Sequence, residues 1–159
     1  MSTRARIGLL QDDGSVQSIY SHWDGYPSNG DGAGAGETLR DHWADSNKLR
    51  QLLALGDLSR LGIEIGQAHD FETSFREHPQ WCLAYGRDRG ESDIDARVHP
   101  RDEWPDYGQE WEYLYDPACG WLCRGLWQDD PSWQSLGIWI DRERERIERY
   151  LAEEARTGR

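Results

Sequence analysis

Apolar and polar residues alternate over 4–11, which puts Ala5, Ile7 and Leu9 on one side of an extended chain. Asp12, Asp13 and Gly14 form a turn, and 15–21 read as the return strand; Asp-Gly between two alternating runs is a strong hairpin signal. The stretch from His22 to Gly36 holds five glycines and a proline and reads as a loop. The period then lengthens. Leu39 and Trp43 stand at i, i+4 and predict a short helix over about 37–44. Ser46 reads as the N-cap of a second helix over about 47–55, with Leu49, Leu52 and Leu53 as its buried stripe and Gly56 placed to end it.

Ile63 and Ile65 alternate as in a short strand, and Phe71 and Phe75 mark a short helix. Residues 81–86 read as a buried strand, and 88–109 as a polar loop with two prolines. A second hairpin follows over 110–116 and 120–127, turning at Asp116-Pro-Ala-Cys-Gly120. Trp133, Leu136, Ile140, Ile147 and Leu151 keep helical spacing and predict a long helix over about 131–156. Asp130 is its expected N-cap and Pro131 its first position, although Gly137 would also allow a start at Asp141. The expected fold is one α+β domain over 1–159: a small, mostly antiparallel sheet with the short helix pair and the C-terminal helix on one face.

Composition alters this picture in one respect. Leu, Ile, Val and Phe make up only 17% of the chain, a level at which a charged sequence usually fails to fold. Nine Trp and seven Tyr make good the deficit, since each ring can bury roughly 150–250 Å². The core is therefore expected to be aromatic. No apolar run approaches the ~20 residues of a membrane span, and no apolar stretch follows Arg4 and Arg6 to serve as a secretory signal. Cys82, Cys119 and Cys123 are an odd set, and their spacing does not match a zinc knuckle. Small buried thiols in a reduced cytoplasm are the expectation, with a single disulfide left open.

The net charge is −12, and −7 of it falls within 87–130, beside Trp104, Tyr107, Trp111, Tyr113, Trp121 and Trp127. Such acidity excludes a direct phosphate-backbone binder. It fits a surface that imitates the phosphate array of a duplex and occupies a nucleic-acid-binding protein. Asp93, Asp95, Asp102 and Glu103, with Trp104 as anchor, are the candidate partner-binding residues. The plainer alternative is solubilising charge over an aromatic core. Trp-rich surfaces often sit at interfaces, so the oligomeric state, a homo-oligomer included, is left open.

Met1-Ser-Thr-Arg4, Ile7-Gly8, Asp13-Gly14, Ile19-Tyr20 and His22-Trp-Asp-Gly-Tyr-Pro27 together resemble a group of small proteins from phage genomes and related bacterial elements. Leu55-Gly-Asp-Leu-Ser59, Arg87-Asp-Arg-Gly-Glu91 and Glu112-Tyr-Leu-Tyr115 extend the likeness in patches over residues 1–125. The Gly30–Gly36 run looks like an insertion, and the C-terminal helix lies outside the likeness. The resemblance implies an accessory role in a host cytoplasm and brings no activity, cofactor or site with it.

A second candidate site joins the His22–Pro27 loop to Arg87–Glu91. Trp23 and Tyr26 would supply rings, Arg87, Arg89 and His22 donors, and Asp24, Asp88 and Glu91 carboxylates. That set could hold a small nucleotide, a ring stacking on the base and an Arg fork meeting phosphate. The plainer alternative is core rings and a structural ion network. Three weaker candidates complete the survey. The glycine run could cradle phosphate, but it lacks Gly-Lys-Ser/Thr, and Asp24, Asp31 and Glu37 would repel an anion. Ser2 could act as an N-terminal nucleophile, and His22, Asp24 and His42 could hold a metal. The leading expectation is a non-enzymatic protein, with no catalytic residue, metal or cofactor, that blocks a host factor through its acidic face. A small-ligand binder comes second and an Ser2 hydrolase third.

Overall fold

The computed structural model describes residues 2–30 and 34–158. Asp31 and Gly32 of the glycine run lie outside the described residues. The fold is a mixed α+β domain built on an eight-stranded sheet. The first hairpin pairs β1 (Ala5–Leu10) with β2 (Val16–Ser21). Its turn depends on Gly14, whose φ of +87° suits a residue without Cβ, and on Asp13, which accepts from both the backbone N–H and the hydroxyl of Ser15. The second hairpin, β6 (Trp111–Asp116) and β7 (Gly120–Gly125), lies alongside β1 through a parallel β1–β6 pairing.

Register decides what each face carries. Ala5, Ile7 and Leu9 on β1 stand opposite Trp111, Tyr113 and Tyr115 on β6, and Tyr113 stands opposite Cys123 on β7. These residues form the core with α1 (Ala35–His42), α2 (Ser46–Ala54) and the start of α5 (Leu136–Thr157). The helix pair and the C-terminal helix thus cover one face, as the sequence predicts. Trp43 lies wholly buried in this layer, its indole N–H donating to the Gly62 carbonyl at 3.0 Å.

Several elements differ from the expectation. Asp45, not Ser46, caps α2, its carboxylate accepting from the Lys48 N–H. Ile63 and Ile65 form no strand; β3 is Leu58–Arg60, and beyond it only an isolated bridge joins Glu64 to Trp81. The Phe71–Phe75 helix shrinks to α3 (Ser74–Glu77). The 81–86 strand is only β4 (Leu83–Ala84), because the chain turns at once into α4 (Tyr85–Arg89). The polar loop contains β5 (Arg97–His99). One edge of β2 is shared: β5 takes Val16–Ser18 and β3 takes Ser21. The last helix starts at Leu136 under a Ser135 cap, after the short strand β8 (Gln134–Ser135), so neither Asp130 nor Asp141 opens it.

The face opposite the helices is polar and covered. Arg6 on β1, Glu112 on β6 and Arg124 on β7 form a row across three strands. Arg6 is fully buried; its Nε and Nη2 donate to the Ser18 hydroxyl, and its guanidinium lies 4.9 Å from the Tyr107 ring centre. The Ser18 hydroxyl and His99 Nε2 are 2.8 Å apart, and His99 Nδ1 lies 2.8 Å from the Pro100 carbonyl. A carbonyl only accepts, so Nδ1 carries the proton and Nε2 accepts from Ser18.

Burial, and then the nearby Arg6 charge, holds the His99 pKa below its ordinary value of 6.5. The unfolded chain therefore binds a proton here at a pH where the native chain does not. This contribution to stability is present above about pH 6.5 and is lost as pH falls towards the lower native pKa. His99→Gln is expected to lose less stability than wild type between about pH 7.5 and 5.5, read as the shift in urea midpoint. Equal shifts would show that His99 does not drive the loss.

Candidate functional site

Two grooves gather some of the residues that the sequence singles out. The first, about 510 Å³, lies on the covered face and is lined by Asp102, Glu103, Trp104, Asp106, Glu112, Arg124 and Trp127 among others. Its floor is neutralised. Glu112 is buried and accepts from Arg124 Nε at 2.7 Å and from Gln109 Nε2 at 2.9 Å. Its rim is not: among the described residues Asp102, Glu103 and Asp106 are exposed and take part in no ion pair. Trp127 stands beside them with 74% of its surface in solvent.

Trp104 is half-buried rather than free. Its ring fits over Gly8, where a Cβ would approach it to 2.8 Å, and packs against His99 and Trp133. Its indole N–H donates to the Arg101 carbonyl at 2.8 Å. It is thus one wall of the groove, fixed in place. Asp93 and Asp95 are exposed on the segment between α4 and β5, outside this groove.

The second groove is a pair of adjoining clefts, of about 310 and 370 Å³, that share Trp23, Asp24 and Arg60. Backbone pairing sets the loop in place: His22 N–H donates to the Leu58 carbonyl and Trp23 N–H to the Ser59 carbonyl. Tyr113 donates its hydroxyl to the Gly25 carbonyl at 2.5 Å. Asp24 adopts φ +56°, a left-handed conformation uncommon for residues with a Cβ but tolerated by Asp. The ring of Trp23 is 45% exposed. Opposite stand Phe71, Phe75 and Leu83, with Phe75 79% exposed.

Arg87 does not reach this groove. Its guanidinium is held by Asp88 and by the carbonyls of Ile65 and Cys82. Burial raises the pKa of Asp88, but the hydrogen bonds from Arg87 and the Ala84 N–H outweigh it and leave the carboxyl below its ordinary value. The pair is structural. Arg89 pairs with Glu91 and lies 4.4 Å from the centre of the Phe71 ring, so it borders the groove through that ring. Tyr26 donates to Asp24 at 3.3 Å.

Arg60 is the residue that sequence reasoning missed. It ends β3, a strand too short to show alternation. Its Nη2 donates to Ser74 Oγ, the His78 carbonyl and the Trp81 carbonyl, while its Nε is enclosed without an acceptor among the described residues. Burial lowers its pKa, and the charges of Cys82 and Asp24 oppose that shift.

No family model, no curated protein and no solved structure matches the chain.

The remaining candidates gain little. Among the described residues no cluster of His, Cys, Asp and Glu could hold a metal ion, and His22 is engaged with the Tyr20 hydroxyl at 2.7 Å. All three cysteines are free. Cys82 and Cys123 are buried, with thiols pushed up by burial to about 11 and about 12, whereas Cys119 is exposed. Ser2 is half-buried ahead of β1 and has no hydrogen bond among the described residues. No helix of the described residues is long and apolar enough to cross a membrane.

Proposed function

We propose that this is a non-catalytic binding protein whose acidic groove occupies a basic partner of the kind that itself holds nucleic acid. The reading rests on one observation: Asp102, Glu103 and Asp106 share a groove with the exposed Trp127, and none of the three is in an ion pair. Carboxylates without counter-ions attract a cationic surface, and a projecting indole supplies the desolvated anchor that charge alone lacks. The resemblance to small phage proteins makes the partner a host factor and the outcome its inhibition, in the host cytoplasm.

The test is affinity capture from a bacterial lysate, followed by titration of the captured protein. Asp102→Lys/Glu103→Lys/Asp106→Lys is expected to weaken binding at least tenfold, and wild-type affinity to fall steeply with added salt. Asp93→Lys/Asp95→Lys, outside the groove, is expected to do much less. Circular dichroism of each variant checks the fold. Undiminished binding by the folded triple variant would overturn the proposal.

A further inference from the structure

The groove at Trp23 holds two opposite charges that act on each other at a distance, without contact. Asp24 and Arg60 both line its two clefts, yet no ion pair joins them. Arg60 is half-buried, lacks a carboxylate partner among the described residues, and has an enclosed Nε with no acceptor. That Nε is out of a guest's reach and Nη2 is taken by Ser74 and two carbonyls, so an incoming anionic oxygen would meet Nη1. Asp24 is in no ion pair among the described residues; its Oδ1 accepts from the Tyr26 hydroxyl at 3.3 Å, and a carboxylate has room for further donors. The groove is also lined by two exposed rings, Trp23 and Phe75.

Each feature constrains the guest. The rings call for a flat, weakly hydrated body. Arg60 calls for an anion, and guanidinium suits phosphate in particular. Asp24 accepts only, so the flat body must present N–H donors, and two adjacent donors satisfy a carboxylate best. A guanine-type base carries two such donors on one edge, whereas an adenine edge alternates donor and acceptor. Each cleft, at about 310 and 370 Å³, lies at the small end of ligand pockets, so the pair has room for one mononucleotide. We infer that this groove binds a guanine nucleotide, with the base against Trp23, its N–H edge on Asp24 and its phosphate towards Arg60.

The net charge of −12 opposes a phosphate at long range. At physiological ionic strength that field is screened beyond about 8 Å, which leaves the local charges: Arg60 for the phosphate, Asp24 at the base end, and Arg89 already paired with Glu91. The inference is independent of the acidic groove: neither assay uses the residues of the other.

The test is isothermal calorimetry on the full chain with GMP, AMP, UMP, guanosine and inorganic phosphate. GMP is expected to bind at least tenfold more tightly than AMP or UMP, and more tightly than guanosine or phosphate alone. Asp24→Asn keeps the backbone conformation, which Asn tolerates, and is expected to reduce the preference for GMP over AMP at least tenfold. Trp23→Ala is expected to weaken every nucleotide. Arg60→Gln is expected to bring GMP down to the level of guanosine; because Arg60 also ties down the 74–81 segment, Arg60→Lys serves as its folded counterpart. No GMP binding at about 1 mM, an affinity of only about −4 kcal/mol, would overturn the inference. So would equal binding of GMP and AMP, or a preference that Asp24→Asn leaves intact.

Discussion

Trp43→Ala is expected to cost about 3–5 kcal/mol, the range for removing a large ring from a packed core. Three losses coincide. The ring is wholly buried among Leu39, Leu49 and their neighbours, so its removal leaves a cavity. The Gly62 carbonyl loses the indole N–H that satisfies it. Lys48, whose ammonium lies 4.8 Å from the ring centre, loses its cation–π partner. For a domain of this size about 2–4 °C of melting temperature accompanies each kcal/mol, so a fall of roughly 6–20 °C is expected. Trp43→Phe restores most of the ring but not the N–H, and is expected to recover more than half of the loss. A loss below about 1 kcal/mol on Trp43→Ala in urea unfolding would mean that the α1–α2 layer is not integral to the core.

Arg144→Ala is expected to cost about 2 kcal/mol, out of proportion to its place on an outer helix. Glu37 opens α1 with its side chain only 1% exposed, and its Oε1 accepts from Arg144 at 2.5 and 3.1 Å. Its Oε2 is enclosed without a partner among the described residues. Removing Arg144 strands a buried carboxylate, which costs 3–5 kcal/mol in a sealed site. Arg144 itself is 43% exposed, so water screens part of that cost, and exposed pairs contribute no more than about 1 kcal/mol. The intermediate figure follows. Glu37→Gln/Arg144→Ala removes the stranded charge and is expected to be more stable than Arg144→Ala alone. If the double variant is the less stable, charge burial is not the cause. The same pair joins α5 to α1, so amide exchange in α5 is expected to quicken in the single variant.

The parts of the fold legible in the sequence are those with local signals. Asp13-Gly14 and Gly120 announce both hairpins, and Leu49, Leu52 and Leu53 announce α2, because turn chemistry and helical period act within a few residues. β3 and β5 carry no such signal. Leu58–Arg60 and Arg97–His99 are three residues each and are extended only because neighbouring strands lend them an edge, β2 and β4 for the first and β2 for the second. Asp45 and Ser46 are both good caps, and periodicity cannot choose between neighbours.

The candidate sites divide in the same way. Trp23 and Asp24 stand out within a glycine-rich loop, and both line a groove. Arg60 does not stand out, because its significance comes from the 74–81 segment folded over it. Arg87 misled, because adjacent Arg and Asp residues look alike whether they hold a ligand or each other. Trp104 had one unread signal: Gly8 within an apolar strand marks a place where something large comes close.

The parallel pairing of β1 with β6 also sets an order of events in the cell. The two strands meet across a separation of about 106 residues, and every element of the groove at Trp23 lies between them. At 5–20 residues per second the ribosome needs roughly 5–20 s to deliver Trp111 after Ala5. Through that interval the N-terminal hairpin has an open apolar edge and no sheet to join. A chain ending short of Tyr115 would keep that edge open, a template for pairing with another such chain.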